Sequence, residues 1–299
     1  MNKKETNIIV SRIEQWNSRL QGLFIEDRVS LSAKFAWSKN AVPFSEKNKL
    51  KYKPITKGKS WGKEWESAWF SLNGNLKKEW RGKKIIADLD FSGEGLVYDS
   101  KGKEIQGITN ASIWDQNFAR TRVLIPKTCI KNNKVEIWVE AAANSLFGIF
   151  VDVDPEQDNP KRHGTFDAKV ETIDIGTFRE DIWHLYLDVR ILLGLIEKLE
   201  DDSTQRLRII NSLNQAVIAF KDDKKDANSS RKILSAELNK RASSSELNVA
   251  AVGHAHIDTG WLWPVKETIR KCARTFTTQL DLIDRYPDYV FGASMPQHY

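Results

Sequence analysis

Three residues in this 299-residue chain have types and spacing suited to chemistry: His254, His256 and Asp258, set within Gly253-His254-Ala255-His256-Ile257-Asp258-Thr259-Gly260-Trp261. On an extended backbone, positions i, i+2 and i+4 project to one side. Two imidazoles and a carboxylate then offer donors of the kind that hold zinc or a similar divalent ion. The spacing leaves the reaction class open. A metallo-β-lactamase-type site would want a histidine directly after Asp258, where Thr259 stands. An amidohydrolase barrel could open with His-x-His on its first strand, and two polar histidines at a strand end need bind nothing at all.

Elements must hold these residues in place. Leu247 to Val252 is a short apolar run that fits a buried parallel strand. Pro264 suits the first turn of a helix, and Ile269, Cys272, Phe276, Leu280 and Ile283 form its expected buried stripe. Tyr286-Pro287-Asp288 ends that helix, and Tyr289 to Ser294 is a second strand. This is one β-α-β unit, with the candidate ligands at a strand's C-terminal end, where α/β folds bind ligands. One such unit leaves open edges and cannot bury its own faces, so the rest of its domain is expected beyond Tyr299.

The preceding chain has three textures. Ile8, Ile9, Ile13, Trp16, Leu20 and Phe24 fall at helical spacings, so a short N-terminal helix is expected, followed to residue 64 by a polar strap with Pro43 and Pro54. From 65 to 170 short β-rich runs recur at intervals of roughly ten residues, the pattern of an antiparallel β-sandwich or jelly roll. They include Ser67 to Leu72, Lys84 to Phe91, Gly95 to Tyr98, Arg120 to Ile125 and Lys134 to Glu140, parted by turn signals at Gly82, Gly93 and Asn132-Asn133. Val135, Ile137 and Val139 alternate with Glu136, Trp138 and Glu140, as on a strand with one buried face. Residues 171–245 form a helical region. Its first stripe is Phe178, Ile182, Leu185, Val189, Leu192, Leu193, Ile196 and Leu199, and further helices are expected near 204–221 and 230–242. Residues 246–299 begin the α/β domain. The fold class is thus α+β and multi-domain: helix, sandwich, helical segment, then the start of a barrel-like catalytic domain.

Composition excludes several function classes. Apolar residues make up 40% and charged residues 29%, ordinary for a globular protein. The net charge of +6 is spread along the chain rather than gathered in a stripe, which argues against nucleic acid as a partner. Apolar runs such as Ile191 to Ile196 are too short to span a bilayer, and no membrane is expected as a partner. Two distant cysteines, Cys129 and Cys272, make no disulfide framework and suit a reducing, cytoplasmic setting. Eleven tryptophans are many; for each, core packing is the plain reading and sugar stacking the functional one.

The flank of the histidines narrows the choice. Gly253 to Pro264, with Glu267-Thr268-Ile269-Arg270-Lys271-Cys272-Ala273-Arg274-Thr275-Phe276 and Tyr286 to Phe291, closely resembles the opening of the catalytic domain of glycoside hydrolase family 38, the α-mannosidases. Gly93 to Asp99, Glu140 to Gly148 and Trp183 to Asp188 look like the cytosolic or vacuolar branch, which carries an extra β-domain ahead of the catalytic one. The order of these motifs over about 60–299 is more specific than any one of them. The resemblance implies a retaining exo-α-mannosidase with one divalent ion, zinc foremost and cobalt in some relatives. Its partner would be an α-mannose-containing oligosaccharide, and a homo-oligomer would suit the longer enzyme.

Carried over by position, His256 and Asp258 match metal ligands. His254 matches a supporting position that is not a ligand, and Trp261 matches an aromatic wall of the terminal-mannose subsite. Trp263 is expected to pack. Gly260 stands where alanine is common in relatives. The family's nucleophile and acid/base group lie downstream of these motifs, so no catalytic residue is expected here. Asp281, Asp284 and Asp288 are read as surface carboxylates, and Trp114, Glu94 and Tyr98 as parts of a structural β-domain rather than a sugar site. A truncated, non-catalytic carbohydrate-binding or assembly protein is the competing class. A β-α-β unit this sparsely covered should exchange its amide hydrogens faster than residues 65–200. Equal protection of the two regions would contradict that expectation.

Overall fold

The computed structural model describes residues 3–110, 119–144, 166–220, 227–240, 249–261 and 263–298. The chain divides into two compact units, Met1–Asp27 with Thr177–Asn248, and Arg28–Gly176 with Val249–Tyr299.

The first unit is helical. Helices α1 (Lys3–Gly22), α2 (Glu180–Lys198), α3 (Thr204–Ala219) and α4 (Asn228–Leu238) pack together. Ile13, Trp16 and Leu20 of α1 are buried, as are Ile182, Leu185, Val189, Leu192 and Ile196 of α2, so each helix turns one apolar stripe inward. Phe24 meets Trp183 and Tyr186 edge-on, with ring centroids 5.1 and 5.3 Å away. Ser203 caps α3, its hydroxyl accepting the Arg206 N–H at 3.2 Å. One expected member of the α2 stripe is corrected: Phe178 ends a strand. Ile173, Ile175 and Thr177 are buried at every second position, so residues 172–178 carry the period of two before the helical period begins.

In the second unit two sheets share one core. The smaller has the order β1 (Ile25–Ser30), β13 (Thr172–Phe178), β6 (Ile85–Asp90), β9 (Arg122–Leu124). The larger runs β3 (Lys53–Ile55), β2 (Ser32–Ser38), β5 (Ser67–Asn75), β11 (Lys134–Ala142), β7 (Glu94–Tyr98), β8 (Glu104–Ile108), with β10 (Ile130–Lys131) on the start of β11. Strands β4 (Ser60–Lys63) and β12 (Asp167–Lys169) pair separately. The antiparallel register of β5 on β11 is unbroken from Asn75↔Lys134 to Ser67↔Ala142. Phe70 lies at the centre of the core, 4.3 Å from Phe91, 5.4 Å from Trp61 and 5.9 Å from Phe35 between ring centroids. The Trp61 indole donates to the Phe91 carbonyl at 2.9 Å, which satisfies its one polar atom.

The strap expected over 25–64 is corrected. Its first part supplies β1 and β2, and its later part supplies β3 and β4. Leu31, Ala33 and Phe35 are buried between exposed Ser32 and Lys34. The alternation is present in the sequence, but charged outward residues and two prolines mask it. Pro54 is tolerated because β3 is an edge strand. Only 39–52 behaves as a strap, lying over the outer face of the larger sheet. There the Trp69 indole donates to the Val42 carbonyl at 2.8 Å, and Phe44 meets Trp69 and Tyr98. Lys47 is buried between the Phe44 and Trp138 rings, 4.2 and 4.1 Å from their centroids, and burial lowers its pKa against the pull of Glu136.

The helix after the histidines, α5 (Val265–Arg285), packs on β8 and β7. Here the expected stripe is overturned. Ile269, Leu280 and Ile283 are exposed, Phe276 is half-buried and only Cys272 is buried. The inward face consists of Glu267, Thr268, Lys271, Arg274 and Thr278. The sheet surface it meets is itself acidic, which explains the inversion. Lys271 pairs with Glu94, and Arg274 pairs with Glu94 at 3.3 Å and with Glu267 at 2.7 Å. Arg270 bridges Glu140 and Glu267. Three carboxylates thus face three cations, the condition under which charges can be buried. Glu140 is buried for the same reason, although the alternation on β11 assigned it to the solvent face. Farther along, Gly107 of β8 lets α5 approach: a β-carbon there would lie 2.7 Å from the Arg274 carbonyl oxygen, and the Gly107 N–H donates to Thr278 Oγ1 at 3.0 Å.

Burial alone would raise the pKa of Glu94, but Arg274 and Lys271 outweigh it and hold the carboxyl below its ordinary 4.5. A depressed carboxylate pKa stabilises the fold above 4.5 and loses that contribution as pH falls through the folded-state value. Glu94→Gln should therefore cost roughly 3–5 kcal/mol at neutral pH, because two buried cations lose a partner. It should also flatten the fall in urea midpoint on acidification. A variant with the wild-type acid slope would show that the pairing contributes nothing.

Candidate metal centre

Strand β14 (Gly253–His254) pairs in parallel with β15 (Phe291–Gly292), Gly253 opposite Phe291 and His254 opposite Gly292. The Gly253 N–H donates to the Val290 carbonyl at 2.8 Å. The longer strand expected over 247–252 is corrected: 249–252 are not in a strand, and Val249 and Val252 are exposed. Among the described residues β15 is the sole partner of β14. Without neighbours on both sides an apolar run has no ladder to join. Residues 247 and 248 lie outside the described residues, as does Trp114.

Past His254 the backbone leaves the strand, and Ile257 turns into the interior. Two of the three expected donors come together past the strand end. His256 Nε2 lies 3.1 Å from Asp258 Oδ1, and both side chains are open to solvent, 56% and 41% exposed. Donors so close can share one ion at the zinc distances of roughly 2.0–2.2 Å. The pair therefore fits two ligands of a divalent metal. Among the described residues no third His, Cys, Asp or Glu completes the set. His254 is exposed and reaches neither His256 nor Asp258; it makes no hydrogen bond among the described residues.

Trp261 is exposed and meets Trp263 edge-on at 5.5 Å. Trp263 is held, as expected of a packing residue: its indole donates to Thr268 Oγ1 at 3.0 Å, and the Lys271 ammonium lies 4.5 Å over its ring. Thr268 Oγ1 also accepts the Gly260 N–H at 2.9 Å and donates to the Asp258 carbonyl at 3.1 Å. Thr259 Oγ1 lies 2.7 Å from His298 Nε2, tying the loop to the segment after β15. Sequence reasoning missed Thr268 and His298. Thr268 stood inside a quoted motif, and a threonine in the first helical turn carries no distinct chemical signal. Asp281 pairs with Arg285, while Asp284 and Asp288 are exposed.

The order of modules decides the affiliation. The family model for the jelly roll domain of alpha-mannosidase matches residues 27–169, and that for the N-terminal domain of the family 38 glycosyl hydrolases matches 246–299. Residues 27–169 thus match a domain of the alpha-mannosidases, and residues 246–299 match one of glycoside hydrolase family 38. Alpha-mannosidase 2C1 of Mus musculus is 27% identical over 296 residues, covering 96% of this chain and 27% of that protein. The Alpha-mannosidase of Saccharomyces cerevisiae is 29% identical, with 91% and 25% covered, and Alpha-mannosidase G of Dictyostelium discoideum 28% identical, with 99% and 28% covered. The chain spans about a quarter of the length of these relatives. Among solved structures, a Ruminococcus gnavus β-glucuronidase aligns over 51% of this chain and 30% of its own at 14% identity, with a TM-score of 0.29 too low to carry an argument. The jelly-roll match begins at 27, within β1.

Within this family 38 loop, Gly260 has φ +75°, and a β-carbon there would lie 3.3 Å from Val265 Cγ2. An alanine there would meet a left-handed backbone. Gly260→Ala should loosen the loop by roughly 1–2 kcal/mol, seen as faster chymotryptic cleavage at Trp261. Unchanged cleavage would show that the loop accepts a side chain there.

Proposed function

We propose that this chain supplies the jelly roll and the opening of the catalytic domain of a retaining, metal-dependent α-mannosidase acting on terminal α-mannosides of oligosaccharides. The observation that carries the proposal is the His256–Asp258 pair at the end of β14, inside the stretch that matches the N-terminal domain of family 38. The curated relatives' names support the substrate class.

In this proposal His256 and Asp258 hold a zinc ion, with cobalt as an alternative. When bound, the metal supplies Lewis-acid stabilisation to sugar hydroxyls. His256 offers a ring nitrogen and Asp258 a carboxylate oxygen on the solvent side of the loop, and His254 borders them on the strand. Trp261 presents an exposed indole face of the kind on which a pyranose ring stacks. A retaining glycosidase needs a nucleophilic carboxylate and an acid/base carboxyl about 5–5.5 Å apart. No such pair is assigned in this chain, so by itself it does not hydrolyse mannosides. Free, buried Cys129 and Cys272 support a cytoplasmic location, and burial raises the Cys129 thiol to about 12, which makes it unreactive. Among the described residues no helix is long and apolar enough to cross a membrane.

Homogeneous chain should show no turnover of an aryl α-mannoside with zinc or cobalt; turnover lost on chelation would overturn the claim of inactivity. Replacing the matching region of the yeast relative with this chain should give a metal-dependent α-mannosidase. His256→Ala or Asp258→Asn should then cut kcat/KM at least a hundredfold. A folded chimaera indifferent to both would remove the metal role, and one without mannosidase activity would count against the substrate class.

A further inference from the structure

We propose that Thr268 is a positioning residue for the loop that carries Asp258 and Trp261, and that the jelly roll sets Thr268 through the ion network beneath α5.

A hydroxyl offers one donor and two acceptor sites. Thr268 uses all three on the loop: it accepts the Gly260 N–H and the Trp263 indole N–H, and it donates to the Asp258 carbonyl. One atom therefore ties the backbone before Trp261, the glycine beside it and the tryptophan after it. Thr268 is itself only 4% exposed, so water cannot stand in for its hydroxyl.

The jelly roll reaches this atom by two routes. Thr268 lies on the helix face that also carries Glu267, Lys271 and Arg274, and the pairs of Lys271 and Arg274 with Glu94 determine which way that face turns. Lys271 makes the second route: its ammonium pairs with Glu94 of β7 and also lies over the Trp263 ring, whose indole donates to Thr268. The Gly107–Thr278 contact stops α5 from sliding along the sheet. A turn of α5 about its axis would carry Thr268 away from all three of its partners. What this positioning does for catalysis rests on the metal-site proposal above; the mechanical link does not.

The test uses the 299-residue chain, labelled with nitrogen-15, and reads two signals: Gly260 amide exchange and the Trp263 indole resonance. Thr268→Val should speed Gly260 exchange at least tenfold and shift the indole resonance, while Thr268→Ser restores both and amides of β5 and β11 stay unchanged. Glu94→Gln should move the same two signals although Glu94 touches no loop atom. Gly260 exchange within twofold of wild type in Thr268→Val, with the indole unmoved, overturns the positioning role. Normal loop signals in Glu94→Gln overturn the jelly-roll link, and this arm stands even where Thr268→Val does not fold. His256→Ala should leave both signals in place. Activity of the chimaera is a separate measurement, so failure of the mannosidase proposal and failure of this one are distinguishable.

Discussion

The salt-bridged seam between α5 and the acidic end of the larger sheet governs the second unit. Burying a carboxylate or a guanidinium is costly unless it is paired, and here three of each sign are buried together. Apolar residues of similar volume would hold two elements together at least as well, but they would tolerate slippage. Charges do not: Lys271 and Arg274 must converge on Glu94, and Arg270 must lie between Glu140 and Glu267. The network therefore fixes rotation as well as proximity. Gly107 adds an independent limit, since a side chain there would collide with the helix backbone.

How far the sequence was legible follows from the same physics. Alternation on 134–139 located β11 because its inward residues are large and its outward ones polar. The same alternation over 31–35 was hidden by small and charged outward residues, so β2 read as strap. On α5 the apolar periodicity was plain and the inference from it was wrong. A hydrophobic stripe marks residues that gain from being covered, but it does not say which face a given neighbour covers. The neighbour here presents Glu94 and Glu140 on the larger sheet, and no periodicity in α5 reports charges that far away in sequence.

The candidate metal pair was legible in a different way. Spacing alone put His254, His256 and Asp258 on one side, as a strand would. The structure ends the strand at His254 and brings only His256 and Asp258 within 3.1 Å. Past the strand the His256 and Asp258 side chains meet, while His254 stays apart. The family was readable from the flanking order of motifs, which depends on no geometry. The geometry depends on a turn whose glycine sits at φ +75° and whose three backbone and side-chain groups converge on one threonine.

The jelly roll and the loop that carries His256 and Asp258 are therefore not independent modules joined by a linker. On an apolar sheet Lys271 would lose its carboxylate partner, and Arg270 and Arg274 would be left to share Glu267 alone. The acidic end of β7 and β11 is thus a condition for α5 to lie where it does, and α5 in place is a condition for the Thr268 hydroxyl to meet Gly260, Trp263 and Asp258. Each step has few alternatives: charge pairing selects the helix face, the face places the hydroxyl, and the hydroxyl has no spare valence. A β-domain that touches none of the candidate ligands can therefore still determine where Asp258 and Trp261 stand.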